Sequence, residues 1–171
     1  MYSVKSSLVL QLVVLVAASH LISSHGNGET NLPVPGRRSR VAIEGMVYCK
    51  SCSYLNFNTL LNATALPGAV VKVTCTSTKA PLYLNGTTDS HGYFFIQVPR
   101  VKLGTWTSHK CEVSLASSPL SWCSKPTNLN NGQVGADLAF EKVYTGKDPL
   151  VVFKAGPFAF SPTNATACPK Y

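Results

Sequence analysis

A chain of 171 residues is long enough for one ordinary domain and, with 45% apolar and only 13% charged residues, too apolar to stay disordered. Fifteen Lys and Arg against seven Asp and Glu give a formal charge of +8, and the six cysteines can all pair. At the start, Lys5 precedes an apolar run over 8–18 broken only by Gln11, with small residues at Ala17, Ala18, Ser19, Ser23 and Ser24. This is the layout of a secretory signal peptide over residues 1–24, with cleavage expected between Ser19 and Gly26. The run is too short to cross a bilayer; a buried N-terminal helix is the competing reading. No later segment is long and apolar enough for a membrane span. The ending Thr166-Ala167-Cys168-Pro169-Lys170-Tyr171 has no hydrophobic tail for a lipid anchor. A secreted, soluble protein is expected.

Residues 25–40 are polar, with Gly, Pro and a basic knot of Arg37, Arg38 and Arg40, and read as a flexible arm. The knot is compatible with a dibasic processing site, an electrostatic handle or plain solvation. A β domain is expected over 41–171. Residues 41–48 form a first strand. In 70–75, Val71, Val73 and Cys75 alternate with Lys72 and Thr74, the period of a half-buried strand. Residues 82–88 and 92–98 flank Asp89-Ser90-His91-Gly92 and predict a β-hairpin, with Asp89 capping the turn and Gly92 supplying positive φ. In its second arm Phe94, Ile96 and Val98 share one face and Tyr93, Phe95 and Gln97 the other. Residues 110–115 turn Cys111, Val113 and Leu115 inward; 136–143, 150–154 and 158–160 complete the set. Seven or so short strands punctuated by Pro and Gly predict an all-β, antiparallel seven-stranded sandwich or open barrel.

Three Asn-x-Thr sequons, at Asn62, Asn85 and Asn164, sit beside turn-like sequence and mark exposed candidates for N-glycosylation. The spacing Cys49-x-x-Cys52 fits two structural disulfide ends, a redox dithiol or half a zinc site. In an oxidising compartment, with Cys75, Cys111, Cys123 and Cys168 far apart and no helical period after Cys52, disulfides are the expectation. Nothing in the chain predicts catalysis. The seven acids form no close pair, no serine sits in a nucleophile elbow, and there is no Gly-rich phosphate loop. No cofactor or metal is implied. Trp106, Trp122 and the tyrosines could stack on sugar rings, or belong to the core and strand edges.

The stretch Glu44-Gly45-Met46-Val47-Tyr48-Cys49-Lys50-Ser51-Cys52 resembles the E-G-x-V-Y-C-x-x-C signature of the plant pollen Ole e 1-like family. Pro67-Gly68-Ala69 before Val73-Thr74-Cys75, the segment from Thr88 to Phe94, and Gly156-Pro157-Phe158-Ala159-Phe160 before Cys168-Pro169 extend the likeness over 41–171. The resemblance implies a secreted plant glycoprotein with a seven-stranded β-sandwich. It also implies the bridges Cys49–Cys123, Cys52–Cys168 and Cys75–Cys111. Lys50 and Ser53 stand where the pollen allergens carry an acid and an arginine. The chain therefore looks nearer the branch of pistil extensin-like, proline-rich and root-hair protective proteins, although it has no long Pro-rich tract.

The functional expectation is a non-enzymatic glycoprotein of the cell wall or extracellular space, a monomer binding no nucleic acid. Its expected partner is acidic wall polysaccharide, such as pectin, because a basic secreted protein is held by an anionic matrix. The binding candidates are Arg37, Arg38, Arg40, Lys72, Lys79, Arg100, Lys102 and Lys110. The alternatives are an extracellular ligand for a receptor or wall protein, and a defence protein.

Overall fold

The computed structural model describes residues 39–76, 80–99, 110–164, 166 and 168. They belong to one unit, Leu32–Tyr171; the expected signal peptide and the arm up to Arg38 lie outside them. In chain order the strands are β1 (Arg40–Cys49), β2 (Thr64–Ala65), β3 (Val70–Cys75), β4 (Leu82–Thr87), β5 (Tyr93–Val98) and β6 (Cys111–Ser117). There follow β7 (Lys125–Pro126), β8 (Ala136–Asp137), β9 (Ala139–Tyr144), β10 (Leu150–Lys154) and β11 (Phe158–Ser161). No α-helix occurs among the described residues, only short 3-10 turns.

β1 is the axis of the larger sheet. Its alternation sends Val41, Ile43, Val47 and Cys49 into the core and leaves Glu44, Met46 and Tyr48 half-buried on the opposite face. β5 lies antiparallel along one side, with Val41 opposite Val98 and Met46 opposite Tyr93, and β2 continues that side. β10 and then β11 run parallel to β1 along the other, flanked by β9 and β7 respectively. At Gly45 a Cβ would collide with the Ala155 carbonyl and the Phe94 ring, so only glycine lets β1 pass between them. The smaller sheet has the order β4-β3-β6-β8. Both sheets contribute to one core, in which Phe94, Phe153, Phe158 and Phe160 are the largest fully buried side chains. Burying each such ring contributes roughly 1.5–3 kcal/mol.

Four expectations are corrected. The larger sheet is mixed, not antiparallel; alternation tells which face a side chain takes but not the direction of the neighbouring strand. The segment 82–98 is no hairpin: β4 pairs with β3 and β5 with β1, so its turn is a corner between two sheets. Residues 136–143 are two strands, because the chain leaves the smaller sheet after Asp137 and enters the larger at Ala139. Arg40, expected on the arm, is the first residue of β1; its amide donates to the Pro149 carbonyl and its guanidinium pairs with Asp148 at 3.0 Å. The strands form two sheets, which do not close into a barrel. Among the described residues they comprise eight strands of four residues or more and three two-residue strands.

Candidate functional site

The cysteines form the three bridges that the resemblance implies: Cys49–Cys123, Cys52–Cys168 and Cys75–Cys111. Cys49 ends β1 and Cys52 opens a 3-10 turn, so the two ends of the Cys-x-x-Cys tie one strand terminus to two distant segments. Between them Lys50 is buried. Its Nζ donates to the Leu55 carbonyl at 3.2 Å and the Phe57 carbonyl at 2.5 Å, fastening the loop that follows. Burial lowers the Lys50 pKa. No sequence pattern announced this lysine as internal.

The side chains with the most chemistry converge on the face of the larger sheet that points away from the core. Register sets Glu44 between Phe95 of β5 and Lys154 of β10. β9 carries an irregularity opposite Val152 and Phe153, so that Glu141 and Lys142 both reach this face. Glu44, only 17% exposed at its side chain, accepts a hydrogen bond from the Tyr93 hydroxyl at 2.7 Å and lies 3.7 Å from the Lys142 ammonium. Lys154 pairs with Glu141 at 2.6 Å. The Lys142 ammonium lies 5.3 Å from the Tyr144 ring centroid. Burial and the Glu44 carboxylate push the Tyr93 phenol well above its ordinary range. Tyr144 and Glu44 hold Lys142 up, and Lys154 holds Glu141 down.

Around this network lies a shallow cavity of about 300 Å³, lined by Glu44, Met46, Tyr48, Tyr93, Glu141 and Lys154 among others. Tyr93 and Phe95 stack with centroids 6.4 Å apart; Phe95 is 41% and Tyr144 53% exposed. The outward placement of Tyr93 and Phe95 was readable from the alternation of β5. The meeting of Glu44 with Lys142 and Lys154, about a hundred positions on, was not. Trp122, a stacking candidate by sequence, is half-buried against the core, and Trp106 lies outside the described residues.

Three of the predicted basic candidates, Arg40, Lys72 and Lys110, lie among the described residues. Arg37, Arg38, Lys79, Arg100 and Lys102 lie outside the described residues. Arg40 is on the larger sheet; Lys72 on β3 and Lys110 just before β6 are exposed on the smaller one. Lys72 is flanked in register by Asn85 and Ser114, and the carboxylates Glu112 and Asp137 face each other on the same sheet. Asn62, Asn85 and Asn164 are all exposed. Asn62 has a φ of 55° in a turn. Asn164 accepts from the Thr166 hydroxyl at 2.8 Å. Asn85 lies within β4, an edge strand of the described sheet, and not in a loop. Among the described residues no group of three or more His, Cys, Asp or Glu could hold a metal ion, and no helix is long and apolar enough to cross a membrane.

No family model matches the chain. Among curated proteins it is 36% identical over 140 residues to a pistil-specific extensin-like protein of Nicotiana tabacum, covering 75% of this chain and 32% of that one. It is 32% identical to non-classical arabinogalactan protein 30 of Arabidopsis thaliana, covering 78% of this chain and 56% of that protein. To the seed and root hair protective protein of Arabidopsis thaliana it is 29% identical, over 86% of this chain and 90% of the relative. The chain thus spans about a third to just over half of the first two relatives. Among solved structures, the major plantain pollen allergen Pla l 1 aligns with a TM-score of 0.49 at 24% identity, covering 73% of this chain and 95% of the allergen's.

Proposed function

We propose that the protein is a secreted, non-enzymatic glycoprotein of the plant cell wall or extracellular space that associates with acidic wall polysaccharide. The extensin-like and arabinogalactan names of its relatives fit a cell-wall or extracellular glycoprotein, and none of the three is an enzyme's name. The first two relatives are longer, so their whole activities do not transfer.

The observation that carries the reading is the imbalance of charge. Removal of a leader over 1–24 takes away Lys5 and leaves fourteen cations against seven acids, a formal +7. Three of those acids pair with three of those cations, Glu44 with Lys142, Glu141 with Lys154 and Asp148 with Arg40, which leaves the excess unchanged. Among the described residues Lys72, Lys110, Lys125 and Lys147 make no ion pair and are exposed. The Debye length is about 8 Å at physiological salt, so such scattered charges act together only on a polyanion that spans them. The basic arm supplies the densest group.

The test is retention of the deglycosylated protein on de-esterified pectin across a salt series, beside a variant with Arg37→Ser and Arg38→Ser. Arg40 stays, because its pair with Asp148 is part of the fold. Retention at low salt, weakened by the two substitutions and abolished by high salt, is the expected outcome; absence of retention at low salt overturns the reading.

A second reading, a ligand for a receptor or wall protein, has one observation in its favour. Phe57 and Leu61 are exposed on the loop that Lys50 fastens. Saturable binding to membranes or wall protein, lost in Phe57→Ser, would favour it.

A further inference from the structure

We propose that the outer face of the larger sheet is a second binding site, for a neutral glycan chain, formed by the cavity that Glu44, Tyr93, Glu141 and Lys154 line, with Phe95 stacked on Tyr93 and Tyr144 beside Lys142 on the same sheet. It is independent of the charge-based association above, and the two are separable by salt.

The aromatic rings supply the first argument. A soluble strand normally offers solvent polar side chains, yet β5 turns Tyr93 and Phe95 outward and β9 turns out Tyr144. The apolar C–H faces of a sugar ring pack on such rings while its hydroxyls stay at the edge. Tyr93 lines the cavity and is already stacked with Phe95, so little ordering accompanies binding.

The polar groups supply the second. A sugar hydroxyl both donates and accepts, and the cavity holds both kinds of partner side by side: the carboxylates of Glu44 and Glu141 accept and the Lys154 ammonium donates, with Lys142 beside Glu44 on the same face. Each is oriented by its neighbour before any ligand arrives, Glu44 by the Tyr93 hydroxyl and Lys142, Glu141 by Lys154. The cavity volume of about 300 Å³ accommodates a sugar ring or two.

Charge decides the ligand class. The cavity is lined by two carboxylates, Glu44 and Glu141, and one ammonium, Lys154, so a uronate carboxylate entering it would meet an excess of negative charge. A neutral chain meets no such repulsion, and its binding should survive salt that removes the protein from pectin.

The experiment uses the isotope-labelled secreted protein in 1 M NaCl with a panel of neutral wall oligosaccharides and an oligogalacturonate. Amide shift perturbations are followed, with wild type beside Phe95→Ala, Tyr144→Ala, Glu44→Gln and the Arg37→Ser, Arg38→Ser variant. The exposed positions of Phe95 and Tyr144 make their truncation compatible with folding. The expected result is saturable shifts with at least one neutral oligosaccharide, confined to β1, β5, β9 and β10. Tyr144→Ala and Phe95→Ala should each weaken it about fivefold to tenfold, as loss of a stacked ring implies. Glu44→Gln, with Tyr93 still hydrogen-bonded, should weaken it while the fold persists, and the arginine variant should bind neutral sugar unchanged. No shift with any neutral oligosaccharide, shifts located elsewhere, equal binding of the galacturonate, or indifference to both aromatic substitutions overturns the proposal. Loss of pectin retention alone leaves it standing and bears only on the basic surface.

Discussion

Glu44 and Tyr93 are 49 positions apart in sequence and 2.7 Å apart in the fold. Their contact couples a carboxylate to a phenol that burial alone already disfavours as an anion, so the Tyr93 pKa rises above its ordinary value of 10. A folded pKa above the unfolded one means that the contribution is complete below pH 10 and is lost as the pH climbs through the folded value. Alkaline titration followed by phenolate absorbance should therefore contain one step that appears only with unfolding. In Tyr93→Phe that step should vanish and the alkaline fall in stability should flatten; a retained late step would assign it to another tyrosine. Lys50 acts in the opposite sense. Its pKa is lowered, so the charge-burial penalty stands below its folded pKa and is relieved as the pH approaches 10.5. Neither group was legible in the sequence, because each environment is made by residues that come near only on folding. Asp89 and Gly92 were legible for the converse reason. Asp89 accepts from the amides of His91 and Tyr93, which lowers its pKa, and Gly92 has a φ of +74°, all inside one turn.

The same turn marks the limit of local reading among elements. Its chemistry is that of a hairpin, but the chain crosses from one sheet to the other, and what holds the crossing is Thr88 just before it. The buried Thr88 hydroxyl donates to the Leu66 carbonyl at 2.6 Å and accepts from the Ala69 amide at 2.9 Å, tying the corner to the Pro67-Gly68 turn. Thr88→Val keeps the shape and strands both backbone groups, so it should destabilise by about 1–3 kcal/mol. A melting temperature equal to wild type would mean that the hydroxyl is dispensable. The parallel strands left a trace that alternation does not capture. Val151, Val152 and Phe153 are buried without a break, as are all four residues of β11, the mark of strands covered on both faces. The bridges can be ranked by magnitude. On chain entropy, closing 74 residues is worth about 4 kcal/mol and closing 116 about 5, a small difference. Cys49 and Cys123 are both buried, however, so paired Ser substitutions there add two desolvated hydroxyls at about 1–3 kcal/mol each. The Cys49→Ser, Cys123→Ser variant should thus unfold at lower denaturant than Cys52→Ser, Cys168→Ser, despite its shorter loop. The reverse order would show that loop length dominates.

For the whole molecule, the excess of cations could be counted from the sequence, but where they lie and what shares their surface could not. Lys72 and Asn85 were read as separate features, a binding cation and a glycan acceptor. In the fold they are register partners on adjacent strands, both exposed. Opposite residues on such strands have Cβ atoms about 5 Å apart. A glycan on Asn85 would then cover the Lys72 ammonium and hold it away from a polysaccharide chain, while Lys110, beyond the Cys75–Cys111 pair, would stay open. If acidic polysaccharide is the partner, occupancy of Asn85 sets which part of the basic surface can touch it. Asn85→Gln, secreted from plant cells, should be retained on pectin to higher salt than glycosylated wild type. Lys72→Ser should lower retention in the Asn85→Gln background and leave the glycosylated protein unchanged, a coupling that independent sites would lack. Glycopeptide mass spectrometry of the same preparations fixes the occupancy. An equal effect of Lys72→Ser with and without the glycan would show that Lys72 remains accessible beside it, or that retention depends on the arm alone.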